Sequence, residues 1–314
     1  MFDAFSGHKS ESKVIPELSV CKKAISWCGF LGFFLANMLG HQAVSRIYEQ
    51  IVRMFGSSAM ETFLFWFFPL LAFVVLLIAL PRFRRSIGQY GAVASILAWS
   101  IALLLPLFSY VAFILANIEI IHFFQYAIVG CWLMRLIPDP IVAFSIGTFM
   151  GAIDEAYNYF FFPMFTKYLD FNDIVLNCSG VMLGIVFFLF FYGPKSLHLV
   201  SHRVFARMYF AVYVGLCVFT LMAATGFIRF SIAGSDASSV IVGNSLVLSL
   251  KQIESFLLVN RYGKHYHVMT PVEGILALAV MITGLCMFLN WLTYRGLKNV
   301  KACPECAYGQ RKSS

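Results

Sequence analysis

The sequence predicts an all-α, polytopic membrane protein: a transmembrane helical bundle of about eight spans. Hydrophobic residues make up 60% of the chain, charged residues 12%, and the mean hydropathy is +0.81. Soluble domains are about half apolar and about a quarter charged. Apolar segments of helix length recur along the chain and alternate with short polar or proline-containing stretches. The net charge of +8 is spread between these segments, which favours membrane orientation over nucleic-acid binding.

The first part of the chain is expected to hold three spans. A basic cytoplasmic segment, 1–23, precedes the N-terminal helices of 24–117. Its spans are predicted at 24–42, at 62–80, ending before Pro81, and from 88 past Pro106. Between the first two, the segment 43–60 has apolar residues on one helical face and charged residues on another. That pattern predicts a connector lying along the membrane interface.

The rest of the chain is expected to hold five spans and a long outer loop. Spans 4–6 form a core at 118–192, with helices at 117–137, 141–162 and 173–192. The C-terminal helices of 193–294 comprise spans at 208–227 and 271–294, separated by the loop 228–270 and followed by the basic tail 295–314. Within the loop, the helical spacing of Leu246, Leu250, Ile253 and Leu257 predicts an interfacial helix over 245–260.

The positive charges predict that both termini are cytoplasmic. With eight spans and a cytoplasmic N-terminus, sixteen of the 23 Lys and Arg residues fall inside and seven fall outside. Cytoplasmic loops carry the excess of such residues in membrane proteins. The predicted orientation is therefore N-in and C-in.

Spans 4, 5 and 6 each carry one stripe of polar or small residues at helical spacing. The stripes comprise Glu119, His122 and Tyr126; Gly147, Gly151, Asp154 and Asn158, with Glu155 beside them; and Asp173, Asn177, Gly180 and Gly184. Such stripes avoid lipid by facing one another, and the paired glycines are expected to bring spans 5 and 6 close together. In the predicted orientation their polar groups lie within roughly 10–12 Å of the outer surface, beneath Lys167 and Asp170 of the connecting loop.

Three segments in this region resemble the VanZ-like family. They are E-I-I-H-F-F-Q-Y (119–126), D-E-A-Y-N (154–158) and K-Y-L-D-F-N-D-I-V-L-N-C-S-G-V-M-L-G (167–184). The family shows a His-aromatic-x-x-Tyr element, a Glu-x-x-Gln element, then an Arg and an Asp-x-x-x-Asn-x-x-Gly run. The matching positions are His122, Tyr126, Glu155, Asp173, Asn177 and Gly180. The chain departs at Asn158, where Gln is usual, and at Lys167, where Arg is usual and would hold an anion with two prongs.

The resemblance implies an accessory role in the envelope of the cell, in its cytoplasmic (inner) membrane, and a link to resistance against the glycopeptide teicoplanin. The expected partners are membrane lipid and a lipid-linked cell-wall precursor or glycopeptide, with no cofactor. The candidate ligand-binding residues are His122, Tyr126, Asp154, Glu155, Asn158, Lys167, Asp170, Asp173 and Asn177. Lys167 would attract phosphate, and the carboxylates would accept hydrogen bonds from amide or sugar groups.

Other interpretations of these residues stay open at this point. They could act only as interhelical hydrogen bonds, or Asp154 and Glu155 could carry protons in a coupled transporter. An intramembrane enzyme acting on lipid-linked substrates could use His122 and Glu155 as an acid–base pair, although no nucleophile with an activating neighbour is evident. Metal binding by His122, Glu155 and Asp173 is conceivable, but no ligand spacing specifies it, so no metal is predicted.

Weaker signals lie elsewhere. His265 and His267, or Cys303 and Cys306, offer metal-ligand types without a complete motif. On span 1, Asn37 and His41 end at the predicted outer face, where contact with the polar residues of spans 4–6 is a further hypothesis.

Overall fold

The computed structural model describes residues 20–114, 117–161, 169–193, 221–222, 224–232, 241–242, 245–250, 258–259 and 265–302. These residues form helices and short strands. The helices are α1 (Val20–Phe55), α2 (Ser57–Tyr90), α3 (Ala92–Ala112), α4 (Ile121–Leu136), α5 (Pro140–Phe161), α6 (Phe171–Tyr192) and α7 (Pro271–Ala302). A 3₁₀ turn, Asn117–Ile120, leads into α4. The strands are β1 (Ile228–Ile232), β2 (Ile241–Val242), β3 (Ser245–Leu250), β4 (Leu258–Val259) and β5 (His265–Tyr266).

The apolar helices indicate a membrane protein. Four described segments are long and apolar enough to cross a bilayer: Lys23–Gly40, Ala92–Ala112, Phe171–Tyr192 and Pro271–Asn299. A fifth candidate is a bent pair, Ala43–Phe55 with Ser57–Leu71. Large apolar side chains such as Trp66, Leu104 and Val280 are exposed on these helices, as expected for surfaces that face lipid. Most of the segment predicted as span 7 lies outside the described residues.

The predicted interfacial connector at 43–60 is wrong as a separate helix. α1 continues from Val20 to Phe55 without interruption, and the chain bends by 115° around Gly56, whose φ is 82°. An amphipathic pattern describes the faces of a helix but not its direction, so it could not separate the two arrangements. α2 also continues through Pro81 to Tyr90, since a proline within a helix removes one hydrogen bond and need not end it.

α6 is the centre of the bundle. In the part of α6 that is long and apolar enough to cross a membrane, 78% of the residues are buried, compared with 33% in α3 and 22% in α7. Its most extensive contact is with α4, followed by α5. Core side chains of α6 such as Leu176, Val181 and Leu189 are fully buried. The helix that carries Asn177 is therefore surrounded by protein rather than lipid.

Backbone contact between α4 and α6 depends on glycine. A Cβ at Gly184 would collide with the backbone of Ala127, and one at Gly130 would collide with the carbonyl group of Val181. The sequence predicted that glycines of both helices bring spans 5 and 6 together, yet Gly180 and Gly184 of α6 both face α4 instead. Two small residues of this kind allow helix axes to approach until backbones touch.

The glycines of α5 do face α6, as predicted. A Cβ at Gly147 would lie 2.7 Å from a methyl carbon of Val181, and one at Gly151 would lie 2.8 Å from Cβ of Asn177. Both distances are far shorter than the usual carbon–carbon contact of about 3.5–4.0 Å. The close approach brings the polar side chains of α5 and α6 within hydrogen-bonding distance.

The prediction of a helix at 245–260 is wrong, and the described fold is not purely α-helical. β3 pairs with β1 in parallel, Ile228 opposite Leu246, and with β2 in antiparallel orientation, while β4 pairs with β5. The leucine spacing fits a helix or a strand. The backbone groups of β3 form hydrogen bonds with β1, which is distant in sequence, and local periodicity cannot reveal such a pairing. The hydroxyl of Tyr159 donates to the carbonyl oxygen of Val247 at 2.7 Å, so the sheet lies against the end of α5.

Candidate functional site

Polar side chains from three helices meet at the end of the bundle where α4 and α6 begin and α5 ends. We call this set the polar cluster: His122 and Tyr126 of α4, Asp154 and Glu155 of α5, and Asp173 and Asn177 of α6. Most of its members are buried, with His122 and Glu155 each 3% exposed and Asn177 fully buried. The three sequence stripes therefore face one another in the structure.

Asn177 lies at the centre of the polar cluster. Its side-chain Nδ2 donates to Glu155 Oε1 at 3.2 Å and faces the carbonyl oxygen of Gly151 at 3.5 Å. Its Oδ1 lies 3.0 Å from His122 Nδ1. Because both groups facing Nδ2 are acceptors, Oδ1 is the acceptor that faces the imidazole. His122 therefore donates through Nδ1, and in the neutral ring the lone pair is on Nε2.

A direct hydrogen bond joins α4 to α5. The hydroxyl of Tyr126 donates to Asp154 Oδ2 at 3.0 Å. The same helices carry His122 and Glu155, whose Nδ1 and Oε1 atoms lie 4.0 Å apart. The arrangement fixes the carboxylates of α5 against donors from α4 and α6, so all three helices share one polar network.

Asn158 lies one turn beyond this network on the buried face of α5. Its side chain is 4% exposed, and neither Oδ1 nor Nδ2 has a hydrogen-bond partner among the described residues. Leaving such a group unsatisfied costs about 1–3 kcal/mol. A buried amide in this position is available to a group that enters the site.

A cavity of about 590 Å³ leads from the surface of the bundle to the polar cluster. It lies between α1 and the start of α4. The lining residues with polar side chains include Asn37, Ser45, Tyr48, Glu49, Arg53, Glu119, His122, Gln125 and Asp173. Its volume falls in the range of ligand pockets, about 300–1,000 Å³. Asn37 thus lines the same cavity as His122 and Asp173, whereas the side chain of His41 lies outside what the structure describes.

Acidic groups dominate the described wall of this cavity. Arg53 lies 3.5 Å from Glu49 and is paired with it on one turn of α1. Glu119 and Asp173 add two further carboxylate groups to this wall, beside His122. Such a wall favours cations and hydrogen-bond donors over anions. Lys167, the residue expected to attract phosphate, lies in a segment that the structure does not describe.

Asp170 caps α6 at the edge of the polar cluster. Its carboxylate accepts a hydrogen bond from the backbone N–H of Asn172 at 2.9 Å. Burial, and next the negative charge of Asp173, raise the pKa of Asp170 to about 7. The carboxyl group is thus half protonated near neutral pH, which reduces the negative charge at this end of the bundle.

Three members of the polar cluster have the chemistry and spacing of a metal site. One nitrogen of His122 and one carboxylate oxygen each of Glu155 and Asp173 lie within 4.8 Å of one another. The weaker candidates behave differently. His267 Nε2 pairs with Glu273 at 3.3 Å and His265 is exposed, while Cys303 and Cys306 fall beyond the described part of the chain.

The possible nucleophiles near the cluster are engaged elsewhere. The hydroxyl of Ser179 donates to the carbonyl oxygen of Val175 at 2.8 Å. The thiol of Cys178 accepts from the hydroxyl of Thr148 at 3.5 Å. Neither contact includes His122, so the described geometry offers no activated nucleophile.

Asn172 is a buried polar residue that the sequence analysis missed. Its Nδ2 donates to the carbonyl oxygens of His267 at 2.8 Å and Phe113 at 3.2 Å, and its Oδ1 accepts from the N–H of Met269 at 3.0 Å. It joins the end of α3, the segment before α7 and the start of α6. Its position one residue before Asp173, off the stripe, gave no helical-spacing signal.

No family model, curated protein or solved structure matches this chain. The resemblance to the VanZ-like family therefore stays a prediction from the sequence.

Proposed function

We propose that the protein binds the polar headgroup of a membrane-borne ligand in the cavity between α1 and α4, as an accessory component of the cell envelope. The observation that carries the proposal is the cavity of about 590 Å³ whose inner wall includes His122 and Asp173 of the polar cluster. The VanZ-like resemblance makes the ligand a lipid-linked cell-wall precursor or a glycopeptide.

The chemistry of the wall supports a ligand rich in hydrogen-bond donors. Glu119 and Asp173 can accept bonds from hydroxyl, amide or ammonium groups, and Asn37 and Gln125 can both donate and accept. Sugars and peptides present these groups in quantity. A headgroup of this kind would be recognised without the phosphate contact expected of Lys167.

The proposed setting is a multi-pass protein of the cytoplasmic membrane with eight spans and both termini inside. The distribution of Lys and Arg residues supports this orientation. It puts the start of α4 and the end of α5 near the outer surface. A ligand carried in the outer leaflet would then reach the cavity sideways, past α1.

The proposal is tested by titrating purified protein in nanodiscs with a lipid-linked cell-wall precursor, and separately with teicoplanin, followed by native mass spectrometry. Glu119→Gln removes a charged acceptor from the wall. Hydrogen bonds to charged groups contribute about 1.5–3 kcal/mol, so we expect affinity to fall about tenfold to a hundredfold.

Asp139→Asn is the matched control. Asp139 caps the opposite end of α5 by accepting from the N–H groups of Ile141 and Val142. At 1.5 Å per residue it lies about 22 Å from Asp154 along the helix, and Asn caps a helix equally well. Binding should be unchanged. Absence of binding by the wild-type protein, or equal binding by Glu119→Gln, contradicts the proposal.

The same purified protein, reconstituted into sealed vesicles instead of nanodiscs, separates the alternatives. A coupled transporter would move ligand or protons across vesicles along a pH gradient. An enzyme would convert the lipid-linked substrate into a product. Binding without flux and without product is the result expected of the accessory role.

A further inference from the structure

We propose that His122, Glu155 and Asp173 bind a divalent transition-metal ion, with Zn²⁺ and Mn²⁺ as the candidates. The proposal goes beyond headgroup binding and does not depend on it. One imidazole nitrogen and two carboxylate oxygens form the kind of mixed set that suits these ions. Three protein ligands leave at least one coordination position open to water or to a ligand in the cavity.

The three ligand atoms need only a small contraction. They lie within 4.8 Å of one another. Around a tetrahedral ion with bonds of about 2.1 Å, ligand atoms are about 3.4 Å apart. Side-chain rotations that move each atom by about 1 Å would close the set onto an ion, without displacement of α4, α5 or α6.

Charge balance favours a cation in this position. Glu155 is buried and Asp173 is half-buried, and no Lys or Arg among the described residues lies within ion-pair distance of either carboxylate. Two uncompensated carboxylates near one another in a low-dielectric interior are strongly disfavoured. A divalent ion neutralises both at once.

Asn158 is an independent indication that something occupies this interior. It lies three residues after Glu155 on the same buried face of α5, with both polar atoms of its side chain unsatisfied within the described structure. Because residues three and four apart are neighbours on a helix, Asn158 lies beside Asp154 and Glu155 on the buried face of α5. Its amide can bond to a metal-bound water or contribute an oxygen ligand.

Asn177 acts as a positioning residue for this site. Through Oδ1 it contacts Nδ1 of His122 and so fixes the orientation of the imidazole ring. Through Nδ2 it orients the carboxylate of Glu155. The cavity reaches His122 and Asp173 and provides the route by which an ion enters.

The test uses full-length protein, purified in detergent, stripped with a chelator and titrated with Zn²⁺ or Mn²⁺ alone. Calorimetry gives affinity, elemental analysis gives stoichiometry, and Co²⁺ substitution reports nitrogen–oxygen ligation through its visible absorption. We expect one ion per chain for the wild type. Glu155→Gln and Asp173→Asn, which keep the shape of each side chain, should each lose the ion. Asn177→Ala should weaken affinity about 10- to 100-fold.

Glu119→Gln is the matched control, since Glu119 lines the same cavity but is not one of the three ligands. It should keep the ion while losing affinity for the headgroup, which distinguishes the two proposals. Each variant is first shown to be folded by its elution profile and melting temperature, and Asp173→Asn, at the edge of the cluster, serves if Glu155→Gln does not fold. A wild-type protein that binds neither ion, or Glu155→Gln and Asp173→Asn proteins that bind as well as the wild type, overturns the proposal.

Discussion

Gly184→Ala is expected to destabilise the bundle by separating α4 from α6. The added Cβ would lie 2.8 Å from the carbonyl carbon and 2.9 Å from the Cα of Ala127, and nearer still to its carbonyl oxygen. Favourable carbon contacts lie at about 3.5–4.0 Å, so the two backbones must separate by about 1 Å. Overpacking of this kind costs about 1–3 kcal/mol, and the upper end applies because a backbone cannot rotate away.

The expected net loss is about 2 kcal/mol in the free energy of unfolding. Alanine stabilises a helix by about 1 kcal/mol relative to glycine, which partly offsets the steric cost. The measurement is denaturant unfolding in mixed micelles, followed by tryptophan fluorescence, because Trp132 on α4 packs against Phe30 and Phe33 of α1.

Gly284→Ala is the control for Gly184→Ala. Gly284 lies within α7, and a Cβ there would meet no atom within 4 Å. This variant should match the wild type or be more stable by up to about 1 kcal/mol. If Gly184→Ala were as stable as Gly284→Ala, the backbone contact between α4 and α6 would not be part of the fold.

Three further predictions concern the edges of the bundle. Asn172→Ala should cost about 3 kcal/mol in the free energy of unfolding, since it leaves buried backbone groups unpaired, and hydrogen exchange at Met269 should accelerate. Tyr159→Phe should cost about 1 kcal/mol and speed exchange in β3 near Val247 without affecting α4. The pKa of Asp170 is raised to about 7 in the folded protein, so ionisation of this carboxyl group disfavours the folded state. The free energy of unfolding therefore falls as the pH rises from about 4 to about 7. Asp170→Asn, which still caps α6, should therefore raise the melting temperature at pH 8 and leave it nearly unchanged at pH 4. A lower melting temperature at pH 8 would reverse the sign of this argument.

Helical spacing was enough to predict which polar residues would face one another. Small or polar residues lie three or four positions away from His122, Asp154 and Asn177. Each of these three residues lies on the buried face of its helix. Lipid cannot satisfy such groups, so their burial against other helices follows from composition. Spacing did not predict which helix each glycine would face, because Gly184 is equally placed for α4 or α5 until the helices are packed.

Other features depended on contacts between distant residues. The pairing of β3 with β1 joins Leu246 to Ile228, and the leucine pattern alone fitted a helix. The length of α1 could not be predicted from the amphipathic pattern of 43–60, and only Gly56 marks the end of the helix. The cavity arises because that longer α1 runs beside Glu119, a relation that exists only in three dimensions.

The side-chain amide of Asn177 has a further consequence for the mechanics of the bundle. One planar group holds an acceptor toward α4 and a donor toward α5, while its own backbone belongs to α6. Turning any one of these helices about its axis by a single residue, about 100°, would break at least one of the two bonds. The amide thus sets the rotation of three helices at once, so a rotation of one of them must be shared by the other two or break the network.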